Sequence, residues 1–263
     1  MKNNLKCKNI IFSVFAIILI GVLLYSGYKA LEIYIPQHFA SRNFEKLKKE
    51  SGIKDEKASD LIKKYEEGNE NKPDDGIIRL SNKNSDFVGW LTIEDTVIDY
   101  PVMKSKEENP EYYLHRDFDK NYSYSGSLFI GEKCDENSEV FIVYGHNMSA
   151  DTMFGTLDSY RDSIFAEKHK DIVFQTPAGK RVYRVFAAFK TKVSKEESDE
   201  FEYYRSVGQL GREKYDEALE NYRDMSLISL NVSPQYPQQI MLLSTCSYHT
   251  DEGRFVVAAY RIA

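Results

Sequence analysis

Residues 10–31, IIFSVFAIILIGVLLYSGYKAL, form an apolar run interrupted by a single charge, Lys29. A helix rises 1.5 Å per residue, so this run is long enough to cross a hydrocarbon core of about 30 Å. Lys2, Lys6 and Lys8 precede it, which by the positive-inside rule places the N-terminus in the cytoplasm. The run exceeds the apolar region of an ordinary signal peptide and lacks an A-x-A cleavage pattern, so an uncleaved signal anchor is expected rather than a cleaved leader. The chain then divides into a cytoplasmic N-terminus (1–9), a transmembrane anchor (10–31), a helical segment (32–75) and one extracellular domain (76–263).

The 263 residues allow one globular domain plus the anchor. A net charge of −6 excludes a phosphate-backbone binder, and the lysines near 46–49 and 63–64 are interleaved with glutamate. Nucleic acid is therefore not an expected partner. The three cysteines, Cys7, Cys134 and Cys246, make no CxxC pair, so zinc-finger and thioredoxin readings find no support. At most Cys134 and Cys246 could pair. Cys7, beside the membrane interface, reads as an incidental thiol.

Residues 37–70 are rich in Lys, Glu, Ala and Leu and suit one or two helices, and NKPDDG (71–76) reads as a boundary. Beyond it come eight short β-like runs: 87–93, 97–103, 127–132, 139–147, 171–177, 181–193, 239–248 and 254–263. PAGK (177–180) is a hairpin turn between two of them. Strands at such turn-punctuated spacing predict a barrel or sandwich. Residues 201–225 break the rhythm with helical composition and predict a helix inserted before the seventh strand.

Two of these runs end in reactive side chains. Cys246 closes the apolar LLSTCSY, and His146 follows the apolar VFIVYGHN. A thiol acting as nucleophile needs a base or cation nearby to raise its thiolate fraction. His146 and His249 are candidates for the base. Arg254 opens the last strand, where a hairpin would return a permanently charged guanidinium toward the thiol to face a developing oxyanion. His249 sits in a loop with no supporting partner in sequence, and Asp251 reads as a turn former. A Cys246/His249/His146 metal site lacks a fourth ligand, so no metal and no cofactor are expected. His115, in YYLHRDF, reads as structural; His38 and His169 have no chemical context.

Taken together, the segments narrow the reading. LSTCSYHTDEGRFVVAAYR resembles the signature strand pair of sortases, and VYGHN resembles that family's histidine segment. NPEYYLHRDFDKNYSYSGSLFIGE and MFGTLDSYRD resemble the stretches on either side of it, in consistent order over residues 87–263. N-terminal helices and a helical insertion resemble class B. The resemblance implies a mainly-β, closed eight-stranded barrel as the catalytic domain (76–263), on the surface of a Gram-positive cell. It also implies a cysteine transpeptidase that cleaves an NPxTx or LPxTx sorting motif after Thr and passes the acyl group to a peptidoglycan amine. Its partners would be surface proteins bearing the sorting signal and the wall precursor or cross-bridge. Cys246 would be the nucleophile, His146 the acid/base and Arg254 the oxyanion-side cation, with Ser244 and Tyr204, the latter on the inserted helix, lining the substrate groove. A pilin-polymerising enzyme that uses a pilin lysine, or an idle surface-peptide binder, are the alternatives.

Overall fold

The computed structural model describes residues 2–69, 71–193, 201–232, 234–247, 250 and 252–263. Eight strands are present: β1 (Phe87–Ile93), β2 (Asp99–Met103), β3 (Leu128–Ile130), β4 (Val140–Tyr144), β5 (Asp171–Thr176), β6 (Gly179–Lys192), β7 (Ile240–Cys246) and β8 (Gly253–Arg261). Each matches one of the expected strand segments. They close into a barrel in the order β1-β2-β3-β4-β7-β8-β6-β5, with β5 returning to β1. The β2–β3 and β4–β7 neighbours are parallel and the other junctions antiparallel. The PAGK hairpin joins β5 to β6, with Thr176 opposite Gly179.

Burial on both faces explains why β4 and β7 are apolar along nearly their whole length. Successive strand side chains point to opposite sides of a sheet. One set, including Phe141, Val143, Met241, Leu243, Phe255 and Val257, joins Trp90, Phe174 and Tyr183 in the main core. The alternate set, including Val140, Ile142, Leu242, Val256 and Ala258, lies in a second core with Tyr215, Ala218, Leu219 and Tyr222. Those last four recur at helical spacing on α5 (Gly211–Asp224), which therefore covers the outside of the barrel.

The inserted helix is shorter than the 201–225 expected from composition. Residues 201–210 instead form turns tied to the barrel, with Gly208 bridging Val140 and the Leu210 and Gly211 N–H groups donating to Glu139 Oε2 at 2.7 and 2.8 Å. Tyr204 therefore stands on this turn segment ahead of α5, not on the helix.

At the N-terminal end, α1 runs unbroken from Lys2 to Ser51, followed by α2 (Ala58–Glu66) and α3 (Asp75–Lys83). Val14–Leu31 within α1 has a mean hydropathy of 2.0, is not buried against the rest of the chain, and is long and apolar enough to cross a membrane. The last turns of α1 dock on the barrel. The Phe44 ring meets Tyr100 edge-on at 5.7 Å, and Lys48 Nζ donates to both Asp99 carboxylate oxygens at 2.8 Å. Asp99 also accepts from Trp90 Nε1 at 2.7 Å and Thr92 Oγ1 at 3.0 Å. The third helix starts inside the stretch that reads as a boundary, because Asp74 caps it by accepting from the Gly76 N–H at 2.7 Å.

Trp90 is fully buried and fills the barrel interior. Trp90→Ala is expected to cost about 3–5 kcal/mol in denaturant unfolding, the range for deleting a large aromatic from a core.

Candidate active site

Register brings the reactive residues together. In the parallel β4–β7 ladder, Tyr144 stands opposite Ser244, so the chain two residues further on carries His146 on one strand end and Cys246 on the other. In the antiparallel β7–β8 ladder, Cys246 stands opposite Arg254. All three line one open cleft of about 370 Å³, together with Glu111, Leu114, Glu132 and Tyr204.

The histidine segment is clamped onto β7 from both sides. Gly145 N–H donates to the Ser244 carbonyl at 3.1 Å, and Thr245 Oγ1 donates to the Gly145 carbonyl at 2.7 Å. Beyond the histidine, Asn147 Nδ2 donates to the Cys246 carbonyl at 2.8 Å. A side chain at position 145 would lie 2.5 Å from Leu128 Cδ2 and 2.6 Å from Phe154 Cδ2, so glycine is what permits this approach.

The imidazole has a fixed tautomer. His146 Nε2 lies 2.9 Å from the Leu114 carbonyl oxygen, which can only accept, so Nε2 carries the hydrogen. In the neutral ring Nδ1 is then the basic atom. Burial pushes the imidazole below its ordinary value; the Leu114 carbonyl opposes this, and charge on neighbouring His115 adds to it.

Leu114 belongs to a 3-10 turn, Tyr112–His115, that is held from beneath. Tyr113 is fully buried, and its hydroxyl donates to Asp86 Oδ2 at 2.9 Å, where the Lys120 ammonium also pairs at 2.8 Å. The Ser127 N–H donates to the Tyr113 carbonyl at 3.0 Å. Gly126 has a φ of 57°, and a Cβ there would meet the Leu114 carbonyl oxygen at 2.2 Å.

Cys246 is a free, partly exposed thiol, and Cys134 is free and buried, so the conceivable Cys134–Cys246 disulfide does not form. Burial pushes the Cys134 thiol up. Arg254 Nη1 donates to the Gly253 carbonyl at 2.9 Å, and Nη2 lies 3.5 Å from Glu252 Oε2. Ser244 sits in the cleft wall with its side chain fully buried, its hydroxyl 2.9 Å from that of Tyr203. Tyr204 lines the cleft and donates its hydroxyl to Glu202. His249 and Asp251 lie outside the described residues, as do the side chains of Cys7 and His38. His169 is buried with Nδ1 2.9 Å from the Glu94 carbonyl, away from the cleft.

Sequence reasoning passed over Asn147, although it adjoins His146 in the GHN triplet. The Leu114 carbonyl left no side-chain signal to find.

A closed barrel presenting cysteine, histidine and arginine at one rim defines a class of thiol enzymes, and comparison with known proteins narrows it. The sortase domain model matches residues 91–262. Sortase B of Staphylococcus aureus (strain NCTC 8325 / PS 47) is 30% identical over 247 residues, covering 92% of this chain and 93% of that protein. The solved S. aureus sortase B–substrate complex superposes with a TM-score of 0.65 at 29% identity, covering 84% of this chain and 95% of that one. Sortase B complexed with triglycine gives 0.68 at 29% identity, covering 84% and 96%. The chain belongs to the sortase family of cysteine transpeptidases, in class B.

Two outcomes are expected. Gly126→Ala should displace the Leu114 carbonyl and lower kcat by about tenfold or more while unfolding stays cooperative, the outcome expected if His146 exchanges a proton in turnover, where a positioned acid/base is worth about 10²–10⁴-fold. Stability should also depend on pH through His146. Its folded-state value is depressed, so the unfolded chain binds more protons in the window below 6.5. The stabilisation is complete above that pH and is lost as pH falls through the folded value. Thermal unfolding of His146→Gln should fall less steeply with acidification there.

Proposed function

We infer that the cleft cleaves a sorting motif of the NPxTx or LPxTx kind between Thr and the next residue and joins the acyl group to a cell-wall peptidoglycan amine. The observation that carries this reading is the register that lines Cys246, His146 and Arg254 along one cleft. Cys246 passes its proton to His146 Nδ1 and attacks the Thr carbonyl carbon. Arg254 faces the oxyanion that forms. As the C–N bond breaks, His146 returns the proton to the leaving amine, leaving a thioacyl enzyme. An incoming amine then attacks the thioacyl carbon and gives a proton to His146; the expelled thiolate recovers it. Tyr204 and the wall built on Ser244 border the bound peptide. Sortase B is known in complex with a substrate and with triglycine, which supports a peptide donor and an amine acceptor here.

The same reading gives the chain its topology. Lys2, Lys6 and Lys8 hold the N-terminus in the cytoplasm, residues 10–31 span the membrane, and the barrel from 76 onward works outside the cell, receiving surface proteins.

The test uses the full-length chain in detergent micelles with motif peptides. Intact-mass analysis should detect an acyl adduct on Cys246, absent in Cys246→Ala. Arg254→Lys should lose about 100-fold in kcat, the scale of one oxyanion donor. Wild-type turnover by Arg254→Lys would remove Arg254 from its role. Product masses with a peptidoglycan-type amine against a pilin-type lysine separate wall anchoring from polymerisation, and absence of any adduct would favour a binder.

A further inference from the structure

His115 stands in contact with the imidazole that exchanges the proton. The His115 and His146 rings are 5.2 Å apart, centroid to centroid, and tilted by 33°. His115 also stacks on Tyr122, at 6.2 Å and 25°. His115 is exposed, whereas His146 is half-buried. His115 also directly follows Leu114, whose carbonyl holds His146 Nε2, so one pinned turn sets both the tautomer and the neighbour of the acid/base ring.

The other charged or titrating groups around the pair come from several elements. On the same turn, Glu111 borders the cleft, and Arg116 lies over the Tyr112 ring at 5.6 Å. Lys120 pairs with Asp86 at 2.8 Å, while Glu132 after β3, Tyr144 on β4, Tyr204, Cys246 on β7 and Arg254 on β8 line the far sides. Among the described residues, His115 alone combines ring contact with His146 and a side chain of a type that gains charge near neutral pH.

We propose that His115 is a positioning residue that forms one coupled titrating pair with His146, its charge keeping the proton off His146 Nδ1, so that it sets the acid limit of transpeptidation. Two imidazolium rings at this separation repel, and the pair carries one proton over a range where two isolated rings would carry two. His146 thereby stays neutral, and able to take the thiol proton, further into acid. Burial of His146 acts in the same direction. The inference rests on the proton-exchange role assigned to His146 above.

The chain has five histidines, so 13Cε1-histidine labelling gives a spectrum simple enough to titrate the full-length protein in micelles. In His115→Asn the His146 midpoint should rise by about half a pH unit or more, as expected for unit charges about 5 Å apart in a near-aqueous dielectric. His115→Phe, which keeps the ring contact without the charge, should raise it equally. The acid limb of kcat/KM should move to higher pH in both His115 variants. An unmoved His146 midpoint in both variants, or a change in the asparagine variant alone, would overturn the proposal. Midpoints that move in a chain turning over no peptide would instead sink the role given to His146 and leave the coupling standing.

Discussion

The parallel ladder between β4 and β7 is the interaction on which the site depends. Five successive residue pairs, from Val140–Ile240 to Tyr144–Ser244, hold the two strands in a single register. Because the strands run the same way, both chains leave the barrel at the same rim, and the residues just past each strand arrive at the same place. An antiparallel pairing of the same strands would send His146 and Cys246 to opposite ends. A one-residue slip would turn one of the two side chains toward the wrong face. The two burial faces of these strands guard against such a slip, since one row fills the barrel and the other sits under α5.

Much of this architecture was legible in the sequence, and the reasons are local. The strands carry short apolar runs bounded by turn formers, and the hairpin at PAGK needs only neighbouring residues to be read. The helical insertion announces itself by composition, although its first ten residues do not become helix. There the long-range ties from Glu139 and Val140 to 208–211 outweigh local propensity. The third helix was hidden for the opposite reason, since Asp74 and Gly76 look like loop residues until one is seen capping the other's N–H.

The site was legible as types and only partly as geometry. Cys246, His146 and Arg254 each stand at a strand end, and their segments resemble those of a known family, but the pairing that aligns them is non-local. Nothing in the spacing of residues 114, 115 and 146 foretells a carbonyl and a second imidazole beside the His146 ring. Nor does a serine two positions before the cysteine declare that its side chain will be buried against Tyr203. Side-chain chemistry can be read along a chain; the backbone groups that orient it cannot.

The unbroken α1 has a mechanical consequence. About 20 residues separate the apolar span, ending at Leu31, from the turn at Ser51, which at 1.5 Å per residue is a rod of about 30 Å. Its far end is fastened to the barrel by Phe44 and Lys48. In the topology proposed above, with residues 10–31 in the membrane, a barrel carried this way would not roam over the bilayer as one on a loose string would. It would work at a set height, like a tool on a stalk, and a peptide would meet the cleft only at that distance from the lipid.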